Sequence, residues 1–147
     1  IADPASPAVR TSMAAYFDEL ARRFEAGFDP AVTLPTADEQ FRLPAGLVLL
    51  ATLHDRPVGC VGLKLPADGV GEVKRLWVSS EVRGLGLARR MLGRIEAEGS
   101  SRGIHTLRLD TNRALTEAIA LYRALGYREI EAYNDEPYAH HWFEKRI

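Results

Sequence analysis

The 147-residue sequence lacks several features that would assign it to a specialised class of protein. It contains a single cysteine, Cys60, so an intrachain disulfide is excluded and a reducing cytoplasm is the natural compartment. No apolar run approaches the roughly 18 residues of a membrane helix. The net charge of −1 offers no electrostatic footprint for nucleic acid or an anionic membrane. We therefore expect a cytoplasmic protein, neither secreted nor membrane-bound, that binds small molecules and no nucleic acid.

The histidines and the cysteine also lack the spacing of a metal site. His140 and His141 are adjacent, and adjacent side chains of a strand point to opposite faces, so the two cannot easily ligate one ion. His54, His105 and Cys60 show no ligand spacing with them. We therefore expect no metal cofactor. Cys60 lies in an apolar run, which favours a buried, inert thiol over a nucleophile.

What the sequence does contain is typical of one small globular domain. Hydrophobic residues make up 46% of the chain and charged residues 27%, and its length suffices to bury one sizeable core. No internal repeat, low-complexity tract or interdomain linker is evident. We expect residues 1–147 to form a single domain, either monomeric or homodimeric. Because the chain begins at Ile1 instead of methionine, we also expect it to be trimmed or cut from a longer protein.

Hydrophobic periodicity predicts a mixed sheet covered by helices on both faces. The first helix begins at a Ser6-Pro7 cap and runs to Gly27. An irregular proline-rich connection over 28–44 holds a short helical turn near 38–41. The predicted strands are 47–53, 58–65, 72–78, 106–111, 127–132 and 139–144, with a four-residue hairpin link at 54–57 and later helices at 87–98 and 116–125. We expect a largely antiparallel sheet of six or seven strands.

The glycine-rich turn at residues 83–88 is the most informative stretch of the sequence. A predicted strand runs into it, and an amphipathic helix with apolar residues at helical spacing runs out of it. Gly84 and Gly86 allow positive φ and a close approach of the backbone to a ligand. The first N–H groups of the helix have no intrahelical partner and carry a partial positive charge, to which Arg83 adds a full one. The turn therefore predicts a phosphate site, the alternative being an ordinary strand-to-helix turn.

This stretch resembles the acyl-CoA-binding motif of the GNAT superfamily of N-acetyltransferases. The family pattern is Arg or Gln, two residues, Gly, one residue, then Gly or Ala, which Arg83, Gly86 and Ala88 match. A second family element, a strand end followed by a helix, occurs in register within 109–127. The resemblance is strong over 72–130. It implies a GNAT-like sheet whose strands splay at the acyl-CoA site, and transfer of acetyl from acetyl-CoA to a primary amine by direct attack in a ternary complex.

The resemblance also implies roles for individual residues. Tyr122 would be the general acid for the departing thiolate, a role that suits a phenol with a pKa of about 10, or else a core aromatic. Glu72 would be the base that deprotonates the amine, or else a solvated strand-end carboxylate. Asn112 would bind the cofactor arm, or else serve turn chemistry. The implied cofactor-binding residues are Leu76, Trp77, Val78, Arg83, Gly84, Leu85, Gly86, Leu87, Ala88, Arg89, Asn112 and Tyr122.

The sequence constrains the acceptor site less. We expect one of His140 and His141, with Tyr133 or Tyr138, to line the acceptor pocket, unless this segment is only a polar hairpin tip. A domain that binds acyl-CoA without turnover, as the sensing part of a regulator, is an alternative function with the same turn. A dinucleotide-binding oxidoreductase is disfavoured because Arg89 occupies the position of the third glycine in its G-x-G-x-x-G fingerprint. As for a cofactor contact of Arg89, a solvated charge on the helix surface explains this residue equally well.

Overall fold

A computed structural model describes residues 1–24 and 37–147, and in that part of the chain six strands form one sheet. The elements are α1 (Pro7–Arg23), α2 (Ala37–Gln40), β1 (Gly46–Leu53), β2 (Arg56–Lys64), β3 (Val70–Val78), a 3₁₀ turn (Ser80–Val82), α3 (Leu87–Ser100), β4 (Thr106–Thr111), α4 (Thr116–Ala124), β5 (Arg128–Ile130) and β6 (His141–Arg146). Their order across the sheet is β1-β2-β3-β4-β6-β5. Only β3 and β4 run parallel among these strands, which confirms the predicted mixed, largely antiparallel sheet.

Local signals placed most elements correctly, and the differences lie at their ends. The Ser6 hydroxyl accepts a hydrogen bond from the Val9 N–H, which confirms the predicted cap of α1. The predicted end of this helix at Gly27, and most of the connection that follows it, lie outside the described residues. The short turn predicted near 38–41 is α2. Strand β5 is shorter than predicted, and β6 begins and ends two residues later.

The four-residue hairpin link predicted between β1 and β2 is wrong. Leu53 pairs with Arg56, so the connection consists of His54 and Asp55 alone. Both residues have positive φ, at 49° and 64°. Two-residue turns in which both residues have positive φ match the right-handed twist of the flanking strands. Strand β2 therefore begins at Arg56, two residues before the predicted start at 58.

Core packing fixes α1 and α3 on opposite faces of the sheet. Leu47 and Leu49 of β1 join Leu92 and Ile95 of α3 in the larger buried cluster. Val48, which points the other way from the same strand, packs in a second cluster that also holds Val9 of α1 and Phe41, the residue that follows α2. The apolar stripe predicted for α3 is therefore confirmed, as is the placement of helices on both faces.

The β3 strand separates from β4 after three residues. Val70, Gly71 and Glu72 pair with β4, whereas on the other side β3 stays paired with β2 as far as Val78. Because the second half of β3 has no β4 partner, one edge of its backbone borders a gap in the sheet. This gap is the splay that the family resemblance implies.

A β-bulge at Arg75 accompanies the splay and was not foreseen from the sequence. Lys74 pairs with Gly62 and Trp77 with Cys60, so Arg75 and its neighbour Leu76 together oppose one residue of β2. Arg75 has φ of 59°, a conformation that costs a residue with a side chain roughly 1–2 kcal/mol. The bulge turns the backbone at the point where β3 and β4 part.

The Arg75 side chain contributes to holding this bulge in place. Its guanidinium lies 5.4 Å from the ring centroid of Phe17 in α1 and 5.0 Å from that of Phe41. A guanidinium over two aromatic faces gains about 0.5–2 kcal/mol from each contact, which is enough to offset the backbone strain. The bulge is thus fixed by residues distant in sequence.

Candidate functional site

Two cavities lie at the gap between β3 and β4 and adjoin each other. The turn cavity, about 330 Å³, lies against the glycine turn and the start of α3. The aromatic cavity, about 300 Å³, lies beside the bulge and the carboxyl end of β4. Both are bordered by Tyr16, Leu20, Leu76, Leu115 and Ala118. Two ligands seated in the cavities would therefore meet at the second half of β3.

The glycine turn at the turn cavity is open and shaped as predicted. Gly84 and Gly86 have φ of 81° and 79°, and a Cβ placed on either would meet no atom within 4 Å. These glycines are thus required for backbone conformation and not for packing. Gly86 caps α3, and no side chain caps the first N–H groups of the helix. Unfilled donors at an exposed helix start form a suitable site for an anion.

Arg83 already has a carboxylate partner beside the turn cavity. Its guanidinium binds Glu19 of α1, and its Nε lies 3.3 Å from the Val78 carbonyl oxygen. Glu19 also lies 3.7 Å from Arg23, whose other nitrogen donates to Glu117 of α4 at 2.6 Å. All four charged side chains of this chain of ion pairs border the turn cavity.

Most of the predicted cofactor-binding residues border the turn cavity. On the unpaired part of β3 these are Leu76, Trp77 and Val78. On the turn and α3 they are Arg83, Gly84, Gly86, Leu87, Ala88 and Arg89. Leu85 does not border it and has its side chain 74% exposed to solvent. Asn112 and Tyr122 border the aromatic cavity instead.

Tyr122 packs its ring into the hydrophobic core, and its side chain also borders the aromatic cavity. It is buried, with ring centroids 5.8 Å from Tyr127 and 6.0 Å from Phe143. Burial raises the pKa of Tyr122 above its ordinary value, and the negative charge of Asp110 adds to this effect. The phenol is therefore protonated throughout the neutral range, as a proton donor must be.

Glu72 belongs to a half-buried network of ion pairs beside the aromatic cavity. Its carboxylate lies 3.1 Å from the Lys74 Nζ and 3.7 Å from the Lys64 Nζ. Lys74 lies 3.1 Å from Asp110, whose oxygen also accepts from Asn134 at 2.8 Å. Although burial opposes it, the charges of Asp110 and Glu72 raise the pKa of Lys74. Lys64, Lys74 and Asp110 border the cavity, whereas Glu72 is not among the residues that border it.

Asn112 makes the contacts of a residue that shapes the turn before α4. Its amide nitrogen donates to the Tyr138 carbonyl at 2.8 Å, and its amide oxygen accepts from the Ala114 N–H at 2.9 Å. These bonds fit the alternative of turn chemistry and helix entry. A contact of Asn112 with the cofactor stays a prediction.

The segment before β6 places a tyrosine at the site but neither histidine. Tyr138 borders the aromatic cavity. His140 accepts from the Arg113 N–H at 3.2 Å, and His141 lies 2.7 Å from a Glu129 oxygen; neither histidine is among the residues that border the cavities. Tyr133 is not among them either, and the Arg108 guanidinium lies 5.4 Å from its ring centroid.

Sequence reasoning missed two functional groups of the site. Tyr16 borders both cavities, and burial followed by the proximity of Tyr122 raises its pKa. Its place in the apolar stripe of α1 made it look like an ordinary core residue. Glu136 borders the aromatic cavity with a buried Oε1. It lies in an irregular segment, where no periodicity points to a direction or a partner.

Cys60 is confirmed as a buried thiol. Its Sγ lies 3.6 Å from the Arg75 carbonyl oxygen, and burial raises the pKa of the thiol to about 12. Within 1–24 and 37–147, no three His, Cys, Asp or Glu side chains are grouped to hold a metal ion. The helices described in those ranges are each too short or too polar to cross a membrane.

Comparison with known proteins identifies the family. A sequence model of the acetyltransferase (GNAT) family matches residues 13–127. An IAA acetyltransferase of Azospirillum brasilense is 38% identical over 82 residues, covering 55% of this chain and 54% of the relative. The chain thus spans little more than half the length of this relative and of a second curated relative.

Two solved structures share the fold. A GNAT-family acetyltransferase from Staphylococcus aureus superposes with a TM-score of 0.83 at 16% identity, covering 96% of this chain and 94% of the other. An aminoglycoside 6′-N-acetyltransferase complexed with coenzyme A gives 0.71 at 19% identity, with coverage of 99% and 94%. At these identities the likeness shows the fold alone. Since the family model covers well over half of the sequence, the chain belongs to the acetyltransferase (GNAT) family.

Proposed function

We propose that this protein transfers the acetyl group of acetyl-CoA to a primary amine by direct attack within a ternary complex. The observation that carries the proposal is the junction of two cavities at the splayed end of β3. One cavity has an open anion site and the other has titratable groups. Two substrates can therefore approach each other there without a covalent enzyme intermediate. Membership of the family argues against the oxidoreductase alternative.

The turn cavity is the proposed site of acetyl-CoA. The pyrophosphate would bind the N–H groups of residues 83–88, with Arg83 and Arg89 beside it. The pantetheine arm resembles a peptide, so it would hydrogen-bond the open backbone edge of residues 76–78 as an added strand does. Leu87 and Ala88 would contact it from the start of α3. The aminoglycoside 6′-N-acetyltransferase that shares the fold was crystallised with coenzyme A, which supports a coenzyme A site in a protein of this fold.

The reaction requires a neutral amine, a held thioester and a proton for the departing sulfur. The amine nitrogen attacks the thioester carbonyl carbon, and the C–S bond then breaks with its electron pair going to sulfur. We propose that the Tyr122 hydroxyl donates a proton to this thiolate. Because burial raises the pKa of Tyr122, its hydroxyl still carries a proton when the C–S bond breaks.

Glu72 is the base that the family resemblance implies, and it stays a proposal. Its carboxylate is engaged by Lys64 and Lys74, which border the aromatic cavity, as Glu72 itself does not. A proton from the amine would have to reach Glu72 through water. Asn112, which holds the backbone of Tyr138, is proposed to shape the place where the two substrates meet.

Tyr122→Phe tests the proposed function. With a panel of amines, amino acids and peptides, and released CoA as the readout, we expect wild type to turn over at least one acceptor. Loss of a general acid lowers kcat by about 10²–10⁴-fold. We expect acetyl-CoA binding by calorimetry to stay within about threefold, since the cofactor's phosphates bind elsewhere.

Tyr127→Phe is the matched control for this test. Tyr127 packs edge-on against Tyr122, and its buried hydroxyl has no hydrogen-bond partner among the described residues. Removal of this hydroxyl should leave both the turnover of the enzyme and its stability nearly unchanged. Tight acetyl-CoA binding without CoA release from any acceptor would instead indicate a sensor domain. A Tyr122→Phe variant with wild-type kcat would remove this residue from the mechanism.

A further inference from the structure

The aromatic cavity holds a carboxylate, Glu136, that the mechanism above does not use. Its Oε1 is buried and has no hydrogen-bond partner among the described residues. A buried carboxylate oxygen that lacks a donor costs about 1–3 kcal/mol or more, so it calls for a positive or hydrogen-bonding partner. Glu136 borders the cavity that adjoins the proposed acetyl-CoA site.

The other charged groups facing Glu136 already have partners. From β3, Lys74 lies between Glu72 and Asp110 at 3.1 Å from each, and from β2 Lys64 lies 3.7 Å from Glu72. Arg75 of β3 lies over two aromatic rings. A cation that enters the cavity would therefore find Glu136 as the carboxylate with an open oxygen.

The electrostatic surroundings of Glu136 suit a proton acceptor. Burial, followed by the negative charge of Asp110, raises the pKa of this carboxyl, and Glu72 acts in the same direction. The Lys74 charge and the Tyr138 N–H oppose the shift without cancelling it. A carboxylate with a raised pKa holds a proton from an ammonium group more readily than an ordinary one does.

The walls of the cavity define the rest of the acceptor. Six aromatic side chains border it: Tyr16, Phe17, Phe24, Phe41, Tyr122 and Tyr138. Aromatic walls favour an apolar, flat body, and a volume of about 300 Å³ suits a small molecule better than a peptide chain. A cationic nitrogen near the aromatic faces gains further attraction.

We infer that the aromatic cavity takes a small primary amine with an apolar body about the size of a phenyl ring, and that Glu136 binds its ammonium group and removes a proton. The inference rests on the proposed function. One N–H bond of the ammonium breaks and an O–H bond forms on Glu136, which passes the proton to water. The freed lone pair attacks the thioester. The second proton, lost from nitrogen as the amide forms, returns to the Tyr122 oxygen that protonated the thiolate.

The test compares two acceptors of nearly equal shape, 2-phenylethylamine and O-benzylhydroxylamine. The first is an ammonium ion at neutral pH, whereas the second is already neutral and needs no base before attack. We expect Glu136→Gln to lower kcat/KM for 2-phenylethylamine by about 10²-fold or more, and for O-benzylhydroxylamine by less than about fivefold. Asp135→Asn, at an exposed neighbouring position, should change neither value by more than about twofold.

Calorimetry with acetyl-CoA and thermal unfolding establish that each variant is folded and binds the cofactor. An equal loss with both acceptors would overturn the inference, because it would indicate a structural role. If Glu72→Gln lost activity with 2-phenylethylamine alone and Glu136→Gln kept wild-type activity, the base would be Glu72 and the inference would be wrong. A wild-type enzyme that acetylates other amines but neither probe would overturn the acceptor class alone. The proposed function itself fails only if no amine of the wider panel releases CoA.

Discussion

The ion pair between Arg83 and Glu19 predicts that a carboxylate competes with the cofactor for its own binding site. Arg83 is proposed to lie beside the pyrophosphate, yet its guanidinium is bound by Glu19 of α1. A pyrophosphate in the turn cavity can reach this guanidinium fully only if Glu19 gives way or shares it. Replacing Glu19 with glutamine should therefore tighten acetyl-CoA binding.

The size of the effect follows from the exposure of the pair. The Arg83 side chain is 45% exposed and Glu19 14% exposed, so solvent screens much of their attraction. Such pairs contribute about 0.2–1 kcal/mol. If this energy no longer has to be given up on binding, the Kd for acetyl-CoA falls by up to about fivefold, since 1.4 kcal/mol is a factor of ten. The unliganded variant should lose roughly 2–4 °C in Tm for each kcal/mol of lost pairing.

Isothermal titration with acetyl-CoA at low and high salt measures the effect. The gain should shrink as salt rises, because the screening length falls from about 10 Å at 0.1 M to about 3 Å at 1 M. Asp18→Asn is the matched control, since it removes one exposed negative charge from the same helix, outside the residues that border the cavity. Weaker binding in Glu19→Gln would refute the reasoning and show that Glu19 instead orients Arg83 for the phosphate. An equal gain in acetyl-CoA affinity in Glu19→Gln and Asp18→Asn would show that the effect comes from the change in net charge and not from the ion pair.

Two further predictions concern the turn and Glu136. Gly84→Ala forces a side chain into positive φ and should lower the free energy of unfolding by about 1–2 kcal/mol. Gly93→Ala, at an exposed position inside α3, should instead raise the free energy of unfolding by about 0.5–1 kcal/mol. Thermal melts in which both variants shift the Tm in the same direction would contradict this prediction. Burial raises the pKa of Glu136 in the folded state, so ionisation of this carboxyl lowers the stability of the folded protein. The loss develops as the pH rises from the pKa of the unfolded state through that of the folded state. Glu136→Gln should therefore raise the Tm at pH 8 relative to wild type, with the difference vanishing below about pH 4; an equal shift at both pH values would contradict it.

The parts of the site that the sequence predicted are those built from neighbouring residues. The glycine turn and the start of α3 lie within a few positions of each other, and positive φ at Gly84 and Gly86 is a property of glycine itself. The apolar stripe of α3 likewise follows from spacing along one helix. Local signals of this kind placed the strands to within a few residues, and they carry the proposal of a phosphate site at the turn.

Contacts between distant residues explain what could not be predicted. The partner of Arg83 is Glu19, sixty-four positions away, and neither residue's local pattern points to the other. Glu136 follows no period, so its direction depends on how the segment before β6 folds back over β4. Tyr16 reads as a core residue in its helix, and its second role depends on where α1 crosses the splay.

The bulge at Arg75 shows how the fold creates the junction of the two cavities. One extra residue in β3 changes which side chains face each side of the strand, so Arg75 borders the aromatic cavity while Leu76 borders both cavities and Trp77 the turn cavity. Without that residue the alternation of a regular strand would send Leu76 and Lys74 to one face and Arg75 and Trp77 to the other. The splay opens the gap, and the bulge sets which side chains border each part of it. Under the proposed function, a motif of local residues therefore marks the phosphate site, whereas a misfit between two strands determines where the two substrates would meet.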